Sequence, residues 1–251
     1  MHRTLAICAL LPACAPDPSA IRRPPPSVHT TTVDTVEIVD TVDTVDTGGP
    51  CPDGMAYVAS AFCVDRWEAS LVDGSPFEVP TDGVAASVPG VQPQGYISMD
   101  VAASACSEAG KRLCTSDEWL RACRGPDDFV FPYGNAEDPG ACNTSRPEHP
   151  LVTLFGDDLD WSSTQMNDPR VNQQDDTVDP GGENSRCVSA DGVYDLHGNL
   201  HEWVDDPEGT FRGGFYMDAA LNGPGCTYAT TAHSAGYHDY STGFRCCSDP
   251  G

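Results

Sequence analysis

His197 and His201 lie four residues apart, and Glu202 follows at once. On a helix the two imidazoles would share a face, and with the carboxylate they would suit zinc or non-haem iron. The order is not that of the zincin motif, in which glutamate directly follows the first histidine. The intervening Gly198-Asn199 predicts a turn, so histidines in ordinary hydrogen bonds are the competing expectation. Cysteine is the other reactive residue present in quantity. Ten cysteines follow Cys14, an even number that predicts a disulfide framework whose connectivity spacing alone leaves open. Cys226 stands alone between Arg212 and His233.

The elements that must position these groups are short. Val101, Ala102, Ala105 and Ala109 recur at helical spacing and predict a helix within 98–109. Thr115-Ser116-Asp117-Glu118 has the form of a capping box. Thr115 starts a second helix, Glu118 reaches back, Trp119, Leu120 and Ala122 follow, and Arg124-Gly125 ends it. Met55 to Val64 predicts short strands broken at Ser60-Ala61, flanked by Cys51 and Cys63 at a separation that could close a small loop. Thr210 to Met217 and Thr242 to Cys246 predict further short strands, with Gly213-Gly214 marking close backbone packing. Between them, Phe129 to Val193 is rich in turn residues. Such a stretch suits a compact domain if disulfides or bound cations replace a missing hydrophobic core.

The chain of 251 residues is long enough for one well-buried domain. Its net charge of -25 excludes nucleic acid as a partner, since no basic patch offsets it. Twelve cysteines beside a single lysine, Lys111, point to an oxidising, extracytoplasmic compartment. Met1-His2-Arg3, the apolar Leu5 to Leu11 and then Leu11-Pro12-Ala13-Cys14 predict a signal peptide over 1–14 ending in a bacterial lipoprotein box, with Cys14 lipidated. No other stretch approaches the ~20 apolar residues needed to span a bilayer, so membrane contact is expected only through that lipid anchor. Over 15–50, Pro24-Pro25-Pro26 and near-repeats of Val-Asp-Thr predict a disordered acidic linker, because a period of three fits neither strand nor helix. The folded domain is expected over 51–251, as a monomer at the cell envelope, including the outer membrane, or secreted.

Six ordered blocks carry a resemblance. They are Phe62-Cys63-Val64-Asp65-Arg66-Trp67-Glu68, Ala109-Gly110-Lys111-Arg112-Leu113-Cys114-Thr115-Ser116-Asp117-Glu118-Trp119, and Phe131-Pro132-Tyr133-Gly134-Asn135. Gly192-Val193-Tyr194-Asp195-Leu196-His197-Gly198-Asn199-Leu200-His201-Glu202-Trp203, Arg212-Gly213-Gly214 and Gly243-Phe244-Arg245-Cys246 complete the series. Together they resemble the formylglycine-generating, sulfatase-modifying-factor family. The resemblance implies an irregular α+β domain of C-type-lectin-like fold, with short strands, few helices and long disulfide-braced loops.

It also implies the bridges Cys106–Cys246 and Cys123–Cys226. For the other six, Cys51–Cys63 would serve as a local staple, Cys142–Cys187 would brace the turn-rich segment and Cys114–Cys247 would use the last two, with a free redox or metal pair at Cys114 and Cys247 as the alternative. Enzymes of that family hold Cu(I), a soft ion suited to thiolates, between two cysteines just after the Gly-Gly strand. Here the first position is Asp218, and no second cysteine precedes Cys226, so copper and formylglycine-generating activity are not expected. The family's structural calcium would fall on Asn199, the Leu200 carbonyl and Glu202, or Glu202 would instead be buried against Arg212 or Arg245. A second site would begin at Asn143-Thr144 with Asp157, Asp158 or Asp160. Trp67, Trp119, Trp161 and Trp203 are expected as anchors rather than a sugar platform.

The function expected is that of a non-catalytic envelope domain, binding a protein, peptide or glycan in a groove at Tyr216, Asp218 and His233, or serving structurally. The alternatives are an oxidoreductase using other residues and a metal-dependent enzyme at His197, His201 and Glu202.

Overall fold

A computed structural model describes residues 49–231 and 233–251. The predicted leader, Cys14 and nearly all of the acidic linker lie outside the described residues.

Chain order begins with a hairpin, β1 (Met55–Val58) and β2 (Phe62–Asp65), paired from Met55↔Asp65 to Val58↔Phe62. The turn is carried by Ala59 and Ser60, both at positive φ (54° and 55°), which matches the twist of a tight hairpin. A two-residue pair follows, β3 (Ser70–Leu71) with β4 (Ala85–Ala86). Helix α1 (Met99–Glu108) starts where Ser98 accepts from the Val101 N–H. It buries Ala102, Ala105 and Cys106, the inward positions of the helical spacing seen in the sequence. After β5 (Arg112–Leu113), helix α2 (Ser116–Arg124) opens on the complete capping box of Thr115 and Glu118. Its buried side is Trp119, Ala122 and Cys123.

The turn-rich stretch contains two short helices, α3 (Pro150–Phe155) and α4 (Ser163–Met166), besides single 3-10 turns. It is not coreless. Leu151 and Val171 are fully buried with Tyr96, Tyr216 and Tyr240, and Leu154, Phe155, Leu159 and Met166 pack on that cluster. The segment adds its own apolar layer because most of its large aliphatic and aromatic residues between 151 and 178 turn to one side, Trp161 and Val152 excepted, which its turn-rich composition conceals.

The remaining strands are β6 (His201–Trp203), β7 (Phe211–Arg212), β8 (Ala229–Thr230), β9 (Thr242–Phe244) and β10 (Cys246–Ser248). Two four-stranded sheets result, ordered β1-β2-β10-β5 and β8-β7-β6-β9. The first is antiparallel throughout; in the second, β6 and β9 run parallel. The strand expected over 210–217 is only Phe211–Arg212, because Gly213 and Gly214 take positive φ (86° and 76°) and end it. The close packing expected of this pair is present. A Cβ on Gly214 would lie 2.4 Å from the Ala219 backbone, and one on Gly213 would press on the Trp119 ring at 3.2 Å.

Five disulfides tie these elements together: Cys51–Cys63, Cys106–Cys246, Cys114–Cys247, Cys123–Cys226 and Cys142–Cys187. Cys114 and Cys247 are therefore not a free redox or metal pair. Consecutive residues of β10 point to opposite faces, so Cys246 reaches α1 while Cys247 reaches the entry of α2.

Candidate functional site

His201 begins a strand and is not on a helix, which decides the fate of the proposed metal set. Along β6 His201 and Trp203 share one face and Glu202 faces the other way. The His201 ring is enclosed by Phe211 (4.5 Å between centroids), Phe215 (4.8 Å) and Tyr228 (5.4 Å). Burial drives its pKa down to about 3, so it is neutral at ordinary pH, and its Nδ1 has no partner among the described residues. His197 is pulled down to about 4 by the same cause; it stands edge-on to Phe131, and its Nδ1 is also unpartnered. His197, His201 and Glu202 thus do not converge. Among the described residues no group of three or more His, Cys, Asp or Glu side chains is arranged to hold a metal ion.

Glu202 is instead the anion of a buried ion pair. Its oxygens accept from Arg245 Nε at 2.5 Å, Arg245 Nη2 at 2.6 Å and the Trp119 indole N–H at 2.7 Å. Arg245 is fully buried and spends its remaining donors on the carbonyls of Asp65 (3.0 Å) and Tyr194 (2.9 Å). Two further buried carboxylates share this one guanidinium. Burial, then the charges of Glu202 and Asp195, raise the pKa of Glu68 well above the carboxylate range. Burial also raises Asp195, to about 7. Glu68 accepts from Asn199 Nδ2 and the Leu200 N–H, and Asn199 Oδ1 accepts from Asn143 Nδ2 and the Asp179 N–H.

A calcium ion on Asn199, Leu200 and Glu202 does not fit this arrangement, since both Glu202 oxygens and Asn199 Oδ1 already face N–H donors. Neither Glu68 nor Asp195 was singled out from the sequence. Their signal was an acidic residue embedded in an apolar block, as in Trp67-Glu68-Ala69 and Tyr194-Asp195-Leu196. The second expected cation set is corrected too. A polar cavity of about 230 Å³ does include Asn143 and Thr144, but its carboxylates are Asp176 and Asp179 rather than Asp157, Asp158 or Asp160.

Asp218 builds a turn. Its Oδ1 accepts from the N–H groups of Ala220 (3.0 Å) and Leu221 (2.9 Å), and Oδ2 accepts from the Tyr228 hydroxyl at 3.1 Å. Burial and that nearby carboxylate push the Tyr228 phenol up to about 12. Tyr216 cannot line a groove as expected: it is fully buried, and its hydroxyl donates to Asn172 Oδ1. His233 is half-buried and stacked between Tyr237 (3.8 Å) and Phe211 (5.6 Å). Beside the Asp218 turn lies a cavity of about 270 Å³, walled by Phe131, Thr144, His197, Ala219, Ala220 and Pro224, among others. His197 therefore brings a neutral, largely buried imidazole to the wall of a concave surface, with its unpartnered Nδ1 buried.

A profile of the sulfatase-modifying factor enzyme 1-like domain matches residues 33–250. The chain belongs to the FGE-sulfatase family. Curated relatives carry two kinds of name. An inactive C-alpha-formylglycine-generating enzyme 2 of Bos taurus is 27% identical over 63% of this chain and 51% of its own length. A formylglycine-generating enzyme of Bos taurus is 30% identical over 61% of this chain and 43% of its own length. The chain thus spans about half the length of these relatives or less. Among solved structures, a Major Tropism Determinant I1 variant aligns with a TM-score of 0.51 at 14% identity, covering 80% of this chain and 54% of that one. That likeness concerns the fold, the C-type-lectin-like α+β arrangement described above.

Within this FGE-sulfatase domain all ten cysteines among the described residues are bridged. Five disulfides fit an extracytoplasmic compartment. None of the described helices is long and apolar enough to cross a membrane.

Proposed function

We propose that this FGE-sulfatase domain is a non-catalytic binding module of the cell envelope, held there by a lipid on Cys14. The observation that carries the proposal is the Asp218 turn. Where enzymes of the family need a thiol that can bind Cu(I) and engage a substrate cysteine, this chain has a carboxylate spent on two backbone N–H groups and a tyrosine. A carboxylate cannot form a mixed disulfide, and it is a hard ligand for a soft ion. The nearest bridged cysteine, Cys226, is committed to Cys123.

The cavity between His197 and the Asp218 turn is the ligand site in this proposal. Its lining mixes an aromatic ring, small residues, hydroxyls, one neutral imidazole and the carboxylate Glu137, as small binding sites do. Structural calcium, an ion that favours oxygen donors, belongs in the polar cavity of Asn143, Thr144, Asp176 and Asp179.

A free-thiol count and metal analysis of the oxidised protein test the first point. No thiol in the 51–251 domain and no copper are expected; two titrating thiols with stoichiometric copper would restore an enzymatic role. Ala220→Trp, at an exposed position of the cavity wall, is expected to abolish capture on peptide and glycan arrays. Chelation is expected to lower the Tm of the wild type but not of an Asp176→Asn, Asp179→Asn double variant.

A further inference from the structure

A second concave surface shares no residue with the Asp218 cavity. It is an open groove of about 500 Å³, lined by Trp67, Tyr194, Pro89, Pro180, Gly182 and Glu183, among others. The rings of Trp67 and Tyr194 lie nearly parallel, 6.0 Å apart at 16°, and both are half-buried. The chain on both sides is held by its backbone. Trp67 N–H and C=O bond the Ser87 hydroxyl, and Tyr194 N–H bonds the Arg66 carbonyl. The side-chain donors are different: neither the Trp67 indole N–H nor the Tyr194 hydroxyl makes a hydrogen bond among the described residues. The other two core indoles, Trp119 and Trp203, each have a protein acceptor.

Gly182 keeps the Trp67 donor clear. A Cβ there would stand 2.7 Å from Nε1, and its φ of +79° is itself a glycine conformation. At the rim Glu183 is exposed and has no salt-bridge partner among the described residues. Aromatic faces, proline walls, two idle donors and one idle anion are thus gathered along one shallow trough.

We propose that this groove docks a proline-rich peptide segment carrying a basic residue, bound as a left-handed polyproline II helix. That helix has no internal hydrogen bonds, so its carbonyls are free to accept from the indole N–H and the phenol hydroxyl. Its flat pyrrolidine rings pack against the exposed parts of the Trp67 and Tyr194 rings, and its stiffness reduces the entropy lost on binding. The basic residue pairs with Glu183, in keeping with a chain whose net charge is -25. A buried small-molecule pocket would be enclosed; this surface is open along its length, as an extended ligand requires. The proposal does not depend on the role assigned to Asp218.

The test is titration of the full-length oxidised protein with an oligoproline of about eight residues bearing one arginine, followed by tryptophan fluorescence and calorimetry. Saturable binding is expected for that peptide and not for a Gly-Ser peptide of the same length with the same arginine. Trp67→Phe keeps a ring but removes the donor, and is expected to weaken binding about tenfold. Tyr194→Phe removes only a hydroxyl and should weaken it at least about threefold, which keeps the test valid if the tryptophan variant folds poorly. Glu183→Gln should weaken it about threefold at low salt and less at high salt. Absence of saturation, equal binding of the Gly-Ser control, or unchanged affinity in Trp67→Phe and Tyr194→Phe would overturn the proposal. So would saturable binding of a soluble oligosaccharide in place of the peptide.

Discussion

Arg245→Met removes the one cation from a site where three carboxylates are each no more than 3% exposed. Leaving a buried charge without its partner costs ~3–5 kcal/mol. The lost Arg245 bonds also strand the Asp65 and Tyr194 carbonyls, which adds ~1–2 kcal/mol. The expected loss at pH 8 is therefore ~4–7 kcal/mol, a large share of the 5–15 kcal/mol typical of a folded domain. Glu202→Gln in the same background retains the acceptor for the Trp119 indole N–H and removes the uncompensated charge. The double variant should thus recover most of the electrostatic part and lose only ~1–3 kcal/mol.

Glu202→Gln alone should be milder than Arg245→Met, because Glu68 and Asp195 can still balance the guanidinium. Lowering the pH to 5.5 should shrink the Arg245→Met loss, since both Glu68 and Asp195 have pKa values raised by burial and take up protons. Urea unfolding with the disulfides intact, followed by tryptophan fluorescence at the two pH values, gives all four free energies. A loss below ~1 kcal/mol at pH 8, or a double variant as unstable as Arg245→Met, would refute the shared-cation account.

Other consequences can be measured the same way. Asp195 holds its proton more tightly when folded (about 7, against an ordinary 3.8), so between those values the folded state binds more protons and stability falls as pH rises. His201 and His197, lowered to about 3 and about 4 from 6.5, act with the opposite sign: their contribution is complete above pH 6.5 and is lost as pH falls toward 3. Asp195→Asn should therefore reduce the fall in Tm between pH 4 and 7 and leave the part contributed by Glu68, which burial also raises; an unchanged fall would refute the assignment to Asp195. Replacing both Cys123 and Cys226 by alanine opens a loop with a sequence separation of 103, and should cost ~4.7 kcal/mol. The same change at Cys51 and Cys63, separated by 12, should cost ~3 kcal/mol in the same urea assay. Asp218→Ala leaves two N–H groups and a tyrosine hydroxyl without their acceptor and should lower stability by ~1–2 kcal/mol, whereas Asp218→Asn should lose less.

Local chemistry was legible in the sequence wherever one segment fixes its own structure. The Thr115–Glu118 box starts a helix because both partners lie within one turn, and Ala102 and Ala105 mark the buried side of α1. The turn at Gly198-Asn199 was readable for the same reason, with both residues at positive φ. What escaped was long-range. The sequence does offer Arg245, 43 residues later, as one of two arginines against which Glu202 would be buried, and the structure selects it; nothing near Glu202 says that Glu68 arrives from the opposite end of the domain. Tyr216 looked like a groove residue beside Asp218, but beyond the Gly213-Gly214 reversal it turns into the tyrosine cluster. Histidine spacing misled because the period of a helix was tested against what proved to be a turn followed by a strand.

The bonding of Cys246 and Cys247 to Cys106 and Cys114 also sets an order of assembly. A chain that emerges amino-terminus first presents Cys106 and Cys114 well before their partners, which follow 140 and 133 residues later. Oxidation of cysteines in order of appearance would join neighbours that the fold keeps apart. Completion of the domain therefore waits for its final strand, and thiol–disulfide exchange, which runs over seconds to hours, becomes the slow step by which it matures.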